Sequence, residues 1–479
     1  METKKIVSLL VSVVIGLIAW CIPTAWYGIP DLSIVEQRVI ALFLLAASLW
    51  VTEAIPIWAT SVLTIVLMLL TVSTNSFILF QQVPEGGQLG TLINSKSIMA
   101  TFADPIIMLF LGGFVLAIAA TKVGLDANLA RTLLKPFGTK PKYVLLGFIA
   151  VTAAFSAFMS NTATAAMMLT ILAPILRELP ANGRGKIGMA LAIPVAANIG
   201  GMGTPIGTPP NAIALKFLND PDGLNLGIGF GEWAVVMIPF VIVILLFSWQ
   251  LLLRLFPFST DKIEIEIEGT YRKDTKSVIV YVTFALTVIL WMLDKVTGLD
   301  ANVVALIPVA VFCVTGILTK DDLREISWDV LWLVAGGFAL GVGLSDTGLA
   351  KHMISAIPFD TWSPVLVIVG SGFLCCLMSE FMSNTATAAL LMPILAAVGV
   401  GMGGTLEPYG GMSSLLVGIA VSASLAMALP ISTPPNALAH STGLTQQKDM
   451  AKVGIIVGVV GMVLGYLMLF FLGRIHWFN

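Results

Sequence analysis

Charge is scarce in this sequence: 11% of its residues are Asp, Glu, Lys or Arg, 57% are hydrophobic, and the mean hydropathy is +0.97. So few charges cannot cover the surface of a soluble domain, which excludes that class. Histidine is scarcer still, and His352, His440 and His476 are too scattered for a metal cluster. The four cysteines, Cys21, Cys313, Cys375 and Cys376, sit in apolar segments without zinc or disulfide spacing, so packing is their expected role. A formal charge of −2 offers no basic field for nucleic acid. His-Glu-x-x-His, Gly-x-Ser-x-Gly and acid pairs placed for catalysis are all missing, so the chain is not expected to be an enzyme.

Apolar sequence is what the chain has in plenty. Runs of about 18 or more residues, each long enough to cross roughly 30 Å of hydrocarbon, recur along nearly its whole length. The first, Ile6 to Trp26, follows Lys4 and Lys5 but is long and has no small-residue cleavage site, so it reads as a retained span. Spans are predicted near 6–28, 37–55, 57–74, 104–121, 187–218, 233–253, 277–294, 302–318, 328–345, 412–442 and 453–473. Two further stretches, 143–176 and 363–398, carry a polar Ser-Asn-Thr cluster at the middle. Their halves, about 15 residues each, reach only about 22 Å, so each stretch reads as a re-entrant helical hairpin shielded by protein or water. With the N-terminus cytoplasmic, most of the 25 Lys and Arg residues then fall inside, including Lys135, Lys140, Arg177, Arg184, Lys186, Arg272 and Lys273. Drawing the first stretch as a full crossing would put the basic segment 254–276 outside. The expected fold is thus an all-α polytopic membrane protein of about 11 spans plus two re-entrant hairpins, in the plasma (inner) membrane.

The chain also repeats itself. Phe158-Met-Ser-Asn-Thr-Ala-Thr-Ala-Ala166 recurs letter for letter at Phe381 to Ala389, Thr208-Pro-Pro-Asn-Ala212 at Thr433 to Ala437, and Gly112-Gly-Phe114 at Gly336 to Phe338. An odd number of crossings separates the copies, so the first hairpin opens to the cytoplasm, the second to the outside, and the halves are inverted. The expected division is an N-terminal span at 1–36, a first repeat at 37–256, a linker at 257–276 and a second repeat at 277–479. Within the linker, Asp261 to Glu268 alternates with period two and reads as either a short strand or a solvated segment. Segments 122–142 and 346–362 mix Leu with charges and suit helices lying in the interface plane.

Inverted repeats place a substrate site near the midplane where the halves meet. At the hairpin tips, Ser160, Asn161, Thr162 and Ser383, Asn384, Thr385 stand where a helix restarts and are good N-caps. Restarting helices gather free N–H donors for a carboxylate, while carbonyls ending the preceding helix suit a cation. Pro209 and Pro210 forbid a continuous helix, so the span should unwind near Gly203 to Gly207 and restart with Thr208 capping and Pro209 at the first position. Thr433 and Pro434 repeat this, although their preceding stretch, Ala428 to Ser432, has no glycine. None of the four motifs contains Lys, Arg or His to neutralise a dianion, so co-transported sodium is expected to balance it. Paired Asn-Thr tips suit a ligand with a carboxylate at each end, favouring C4 dicarboxylates such as succinate, malate or fumarate. Glu380, the one charge within a hairpin, stands where the first copy has Ala157 and is expected to be a hydrogen-bonded structural group. The Gly-Gly-Phe pair reads as close helix packing.

These motifs, present twice and in order over nearly the whole chain, resemble the divalent anion:sodium symporter family. The resemblance implies a homodimer whose protomers pair a scaffold with a moving transport domain in an elevator mechanism. It implies substrate contacts at Ser160, Asn161, Thr162, Thr208, Pro209, Ser383, Asn384, Thr385, Thr433 and Pro434. It further implies one sodium held by Ser156, Ser160, Asn161 and Gly207, and another by Ser379, Met382, Asn384 and Ser432. Ser432 replaces the small residue expected there. The family also includes sodium-independent exchangers, so a dicarboxylate exchanger on the same fold is the alternative function.

Overall fold

The computed structural model describes residues 3–82, 88–180, 183–220, 224–263, 272–356, 358, 361–475 and 477. Among these the chain is helical, with no β-strand. The first part runs through α1 (Thr3–Cys21), α2 (Ile34–Thr52), α3 (Ile57–Thr71), the short α4 (Ile78–Gln81) and α5 (Ser95–Ala100), then α6 (Pro105–Lys122) and α7 (Leu125–Leu134). The first hairpin follows as α8 (Pro141–Ser156) and α9 (Asn161–Glu178), and the first broken span as α10 (Gly185–Gly201) and α11 (Pro209–Leu218). After α12 (Phe230–Leu255) and α13 (Thr275–Met292) come the short α14 (Asp294–Thr297) and α15 (Ala301–Val304), then α16 (Leu306–Val314). From α17 (Trp328–Asp346) the earlier order returns: α18 (Leu349–Ala356), a hairpin of α19 (Pro364–Ser379) and α20 (Asn384–Met402), a broken span of α21 (Gly411–Leu425) and α22 (Pro434–Ser441), and α23 (Gln447–Arg474).

Local chemistry sets these boundaries. Ser33 and Glu36 form a reciprocal capping box at the start of α2, while Asp104, Asp274, Ser363 and Ser383 accept first-turn N–H groups of their own helices. Proline begins α6, α8, α11, α19 and α22, where its missing N–H costs nothing. Eight stretches are long and apolar enough to cross a membrane among the described residues. Most of α1 is exposed, as a lipid-facing span requires, whereas nearly every residue of α10 and α21 is buried. Those two helices are the centre of the molecule.

The halves clasp each other through exchanged contacts. Helix α3 packs on α17 of the second copy, and α15 and α16 pack on α6 of the first. Likewise α11 lies on α20 and α21, and α22 lies on α9 and α10. The Gly-Gly-Phe motifs serve this exchange: a methyl group on Gly112 would sit 2.1 Å from the Ala305 carbonyl oxygen, and one on Gly336 2.4 Å from Ser61 Cβ. Both glycines let helices from opposite halves approach backbone to backbone.

The first hairpin folds back on itself. Where α8 begins, the Lys142 carbonyl accepts from Trp249 Nε1 at 2.8 Å and the Thr139 carbonyl from the Ile263 N–H at 2.8 Å. Just past the far end of α9, Gly185 lies against Phe258 and Gly188 against Phe256. Both legs therefore end against the same segment, 249–263. In the second hairpin, the 3₁₀ turn Gly403–Tyr409 after α20 packs on α19 as well as α20.

Several boundaries differ from expectation. The legs after the tips are longer than 15 residues: α9 has 18 and α20 has 19, about 27 and 28.5 Å of helix, so their length alone does not rule out a crossing. The first span stops at Cys21 rather than 28, because Pro23 interrupts it and a 3₁₀ turn, Thr24–Tyr27, follows. The span near 302–318 ends at Val314, with Gly316 turning the chain at φ +64°. Helices α7 and α18 lie within the two segments, 122–142 and 346–362, where helices were expected. Most of the alternating linker segment, 264–268, lies outside the described residues, as does His476.

Candidate functional site

Each hairpin tip is a serine-capped restart. Ser160 Oγ accepts the Ala163 N–H at 3.2 Å and Ser383 Oγ accepts the Ala386 N–H at 3.1 Å. The following asparagines turn inward. The Asn161 amide faces Ser156 Oγ at 2.6 Å, the Gly207 carbonyl at 3.1 Å and the Ala197 carbonyl at 3.3 Å. Two arrangements satisfy such a set: Nδ2 turned in as donor, or Oδ1 turned in with a cation among four oxygens. In the second copy Ser379 Oγ lies 2.8 Å from Asn384 Oδ1 and 3.2 Å from the Ala423 carbonyl, two acceptors for its single proton.

The broken spans are held open by the asparagines of their Pro-Pro-Asn motifs. Asn211 Nδ2 donates to the carbonyls of Gly201 at 3.1 Å and Thr204 at 2.8 Å, and Asn436 Nδ2 to those of Met427 at 2.7 Å and Leu429 at 2.9 Å. These carbonyls lie at the helix end or in the unwound segment beyond it, where no regular helical N–H follows, so one side chain per half supplies donors to them. Glycine is required in the first break, where a Cβ on Gly207 would lie 2.4 Å from the Gly201 oxygen and one on Gly201 2.6 Å from Asn161 Oδ1. The break is tied to its hairpin by the Thr204 hydroxyl, which donates to the Ala157 carbonyl.

The second break uses Glu380 instead. Its carboxylate accepts from the N–H of Ala428 at 3.0 Å to both oxygens, from the N–H of Leu429 at 3.3 Å and from the Ser432 hydroxyl. Glu380 is thus a hydrogen-bonded brace, as its sequence position suggested. Ser432 Oγ also accepts the Leu429 N–H at 3.0 Å, so the hydroxyl of that side chain is engaged by Glu380 and by its own segment.

The halves meet at Asn198 on α10. Its Nδ2 donates to Thr433 Oγ1 at 3.1 Å and to Asn436 Oδ1 at 3.3 Å, while the preceding Ala197 carbonyl faces Asn161. Thr433 of the second copy therefore stands beside the first tip. Thr433 caps α22 through the Asn436 N–H at 3.3 Å, but Thr208 makes no side-chain cap on α11, since the Thr208 carbonyl itself takes the Asn211 N–H at 3.2 Å. Ser160, Asn161, Ser383, Asn384, Thr385 and Pro209 are half-buried, Thr162 and Pro434 exposed, and Met382, Thr208 and Thr433 buried. Thr162 and Thr385 share the tips without joining either hydrogen-bonded cluster. Among the described residues no Lys, Arg or His bonds to either cluster; the nearby Lys216 pairs with Asp104 at 2.9 Å. Hydroxyl, amide and carbonyl oxygens make the donor set, which suits a hard cation. A cavity of about 450 Å³ reaches Pro205 in the first break, walled by α6, α11 and the segments 227–230 and 294–302.

Asn198, Asn211, Asn436 and Thr204 were not singled out as site residues from sequence. The two Pro-Pro asparagines were visible in the repeat. Asn198 was not, because the second copy has no asparagine there: the Ala197 and Ala423 carbonyls face the equivalent Ser156 and Ser379 hydroxyls, which sets Asn198 against Ser424.

Comparison with known proteins follows the same line. The family profile described as Citrate transporter matches residues 47–410. The sodium-dependent dicarboxylate transporter SdcS of Staphylococcus aureus strain USA300 is 30% identical over 96% of this chain and 91% of its own length. Its counterpart in strain MRSA252 is 30% identical over 97% and 91%. Among solved structures, the Alcanivorax borkumensis YdaH transporter superposes with a TM-score of 0.55 at 14% identity, covering 92% of this chain and 99% of its own. Neisseria gonorrhoeae MtrF, described within a class of antimetabolite efflux pumps, does so with a TM-score of 0.52 at 10% identity, covering 78% and 83%. At those identities the likeness is one of fold.

Proposed function

This chain belongs to the citrate transporter family, a family of membrane transporters and not of enzymes, and on that premise we propose that it carries C4 dicarboxylates by sodium-coupled symport. The observation that carries this reading is the junction on α10, where the Ala197 carbonyl faces Asn161 of one half and the next residue, Asn198, donates to Thr433 of the other. Two oxygen-rich clusters at helix restarts, free of cationic side chains, supply seats for sodium beside donors for carboxylates. Sodium then removes the penalty of carrying a dianion through a low-dielectric site. Ser156, Ser160, Asn161 and Gly207 hold one ion, and Ser379, Met382, Asn384 and Ser432 the other. Ser160, Asn161, Thr162, Thr208, Pro209, Ser383, Asn384, Thr385, Thr433 and Pro434 face the substrate. The name of the Staphylococcus relatives, which specifies sodium dependence and dicarboxylates, supports the reading.

In this proposal the hairpins are re-entrant, the N-terminus is cytoplasmic in a plasma membrane, and the repeats 37–256 and 277–479 exchange access by an elevator movement within a homodimer. Labelled succinate flux into proteoliposomes tests it, with sodium or choline outside and with the native chain, Asn161→Ala and Asn384→Ala. Sodium-driven uptake lost in both variants is expected. Equal uptake in choline would eliminate the coupling, and near-native flux in both variants would eliminate the site. Competition by malate, fumarate and citrate ranks the substrates.

A further inference from the structure

Thr433 differs from its repeat partner Thr208 in having both hydroxyl lone pairs occupied. Its Oγ1 accepts from Asn198 Nδ2 at 3.1 Å and from the Asn436 main-chain N–H at 3.3 Å. A hydroxyl has two acceptor positions and one proton, so once both are filled the group serves as a donor only. The orientation of Asn198 is itself determined: Asn436 Nδ2 is committed to the Met427 and Leu429 carbonyls, so Asn436 Oδ1 is an acceptor and the Asn198 amino group must face it. Asn198 is 1% exposed, and its Oδ1 is buried without a partner. An orphaned amide oxygen is a lasting cost in an apolar helix, and alanine or serine would pack there without it.

The second copy has no such device. The position matching Asn198 is Ser424, whose hydroxyl donates to the Ala420 carbonyl of its own helix at 2.9 Å. Thr208 makes no capping bond, so its hydroxyl is free to donate or accept. The two ends of the site are therefore chemically unequal although their motifs match letter for letter.

We infer that Asn198 is a positioning residue that commits the Thr433 hydroxyl to donate toward the substrate, making that end of the site selective for an ionised carboxylate, an acceptor-only group. This rests on Thr433 being a substrate contact, and the test separates the two. Asn198→Asp preserves shape but replaces the donor with an acceptor, so the Thr433 proton turns back to it and away from the substrate. Asn198→Ser, which copies the second half, withdraws the donor from Thr433 without adding charge, its short hydroxyl turning to its own helix as that of Ser424 does, and covers the case in which the buried carboxylate does not fold. Succinate KM and kcat are measured at saturating sodium for each substitution, alone and combined with Thr433→Val or Thr433→Ser.

The expected result is a KM raised about tenfold or more by Asn198→Asp, with a smaller change in kcat, as befits a lost charge-assisted hydrogen bond. Combined with Thr433→Val, the Asn198 substitutions add less than about twofold; combined with Thr433→Ser, which keeps the hydroxyl, they retain their full effect. Multiplicative effects in the Thr433→Val background would overturn the inference and leave Asn198 a packing residue. A native KM for Thr433→Val alone would overturn the site assignment beneath it.

Discussion

Glu380 holds the Ala428 N–H between its two carboxylate oxygens, 3.0 Å from each, so the acidic side chain inside the second hairpin ties that hairpin to the break it faces. Its first-copy counterpart, Ala157, makes the same tie with its main chain, through a carbonyl that accepts from the Thr204 hydroxyl. Each half thus bonds the residue after its inward serine to its own broken span, with different chemistry.

Replacing Glu380 tests this brace. Glu380→Ala strands the N–H groups of Ala428 and Leu429, at about 1–3 kcal/mol for each buried donor left unpaired. A clear fall in the melting temperature of the detergent-solubilised protein and a raised half-saturating sodium concentration are expected. Glu380→Gln, which keeps one acceptor oxygen, should fall between. An unchanged melting temperature and sodium dependence in Glu380→Ala would show that the carboxylate braces nothing.

Asn211 and Asn436 make a second pair. The amino group of each donates to carbonyls alone, so Asn→Asp at either position puts a carboxylate oxygen against carbonyl oxygens and should harm the protein more than Asn→Ala, although aspartate is the closer in shape. Melting temperatures of the four variants decide it. Aspartate variants as stable as their alanine counterparts would mean that these amides do not clamp the breaks.

The repeat made much of this legible. Letter-for-letter recurrence located both tips and both breaks, and proline chemistry placed the restarts at Pro209 and Pro434, where α11 and α22 begin. The leg lengths were hidden because α9 runs on into polar residues to Glu178, beyond the apolar window. The engagement of the Ser432 hydroxyl and the missing Thr208 cap each depend on a competing local partner, which motif spacing does not reveal. The bond from Asn198 to Thr433 spans the two halves, and only the packing of α22 on α10 creates it.

Acid titration probes a contact between halves outside the spans. Asp322 accepts both oxygens' worth of hydrogen bonding from Lys122, at 2.6 and 2.9 Å, and this amine together with the Thr319 hydroxyl holds its carboxyl down at about 2. A carboxyl lowered by folding adds stability that is complete above its unfolded value and lost as pH falls through the folded one. The melting-temperature gap between the native chain and Asp322→Asn should therefore be constant near neutrality, narrow below about pH 4 and close near pH 2. A gap that persists unchanged at the acid end would mean that Asp322 contributes by shape and not by charge.

The adjacent glycines of α6 separate packing from transport chemistry. A Cβ on Gly112 would stand 2.1 Å from the main-chain oxygen of Ala305, an atom that cannot swing aside, whereas one on Gly113 would meet only the Ile206 Cδ1 atom at 3.7 Å, ordinary contact. Gly112→Ala must therefore push α6 away from α15 and α16, with an overpacking cost of about 1–3 kcal/mol or more, while Gly113→Ala should be close to neutral or slightly stabilising through helix propensity. Gly336→Ala, facing Ser61 Cβ at 2.4 Å, should behave like Gly112→Ala because the exchange of contacts is symmetric. Melting temperatures in detergent give the order directly. If Gly112→Ala and Gly113→Ala unfold together, the close approach of the two halves is not what these glycines serve, and the exchanged packing of α6 with α15 and α16 loses its sequence-level explanation.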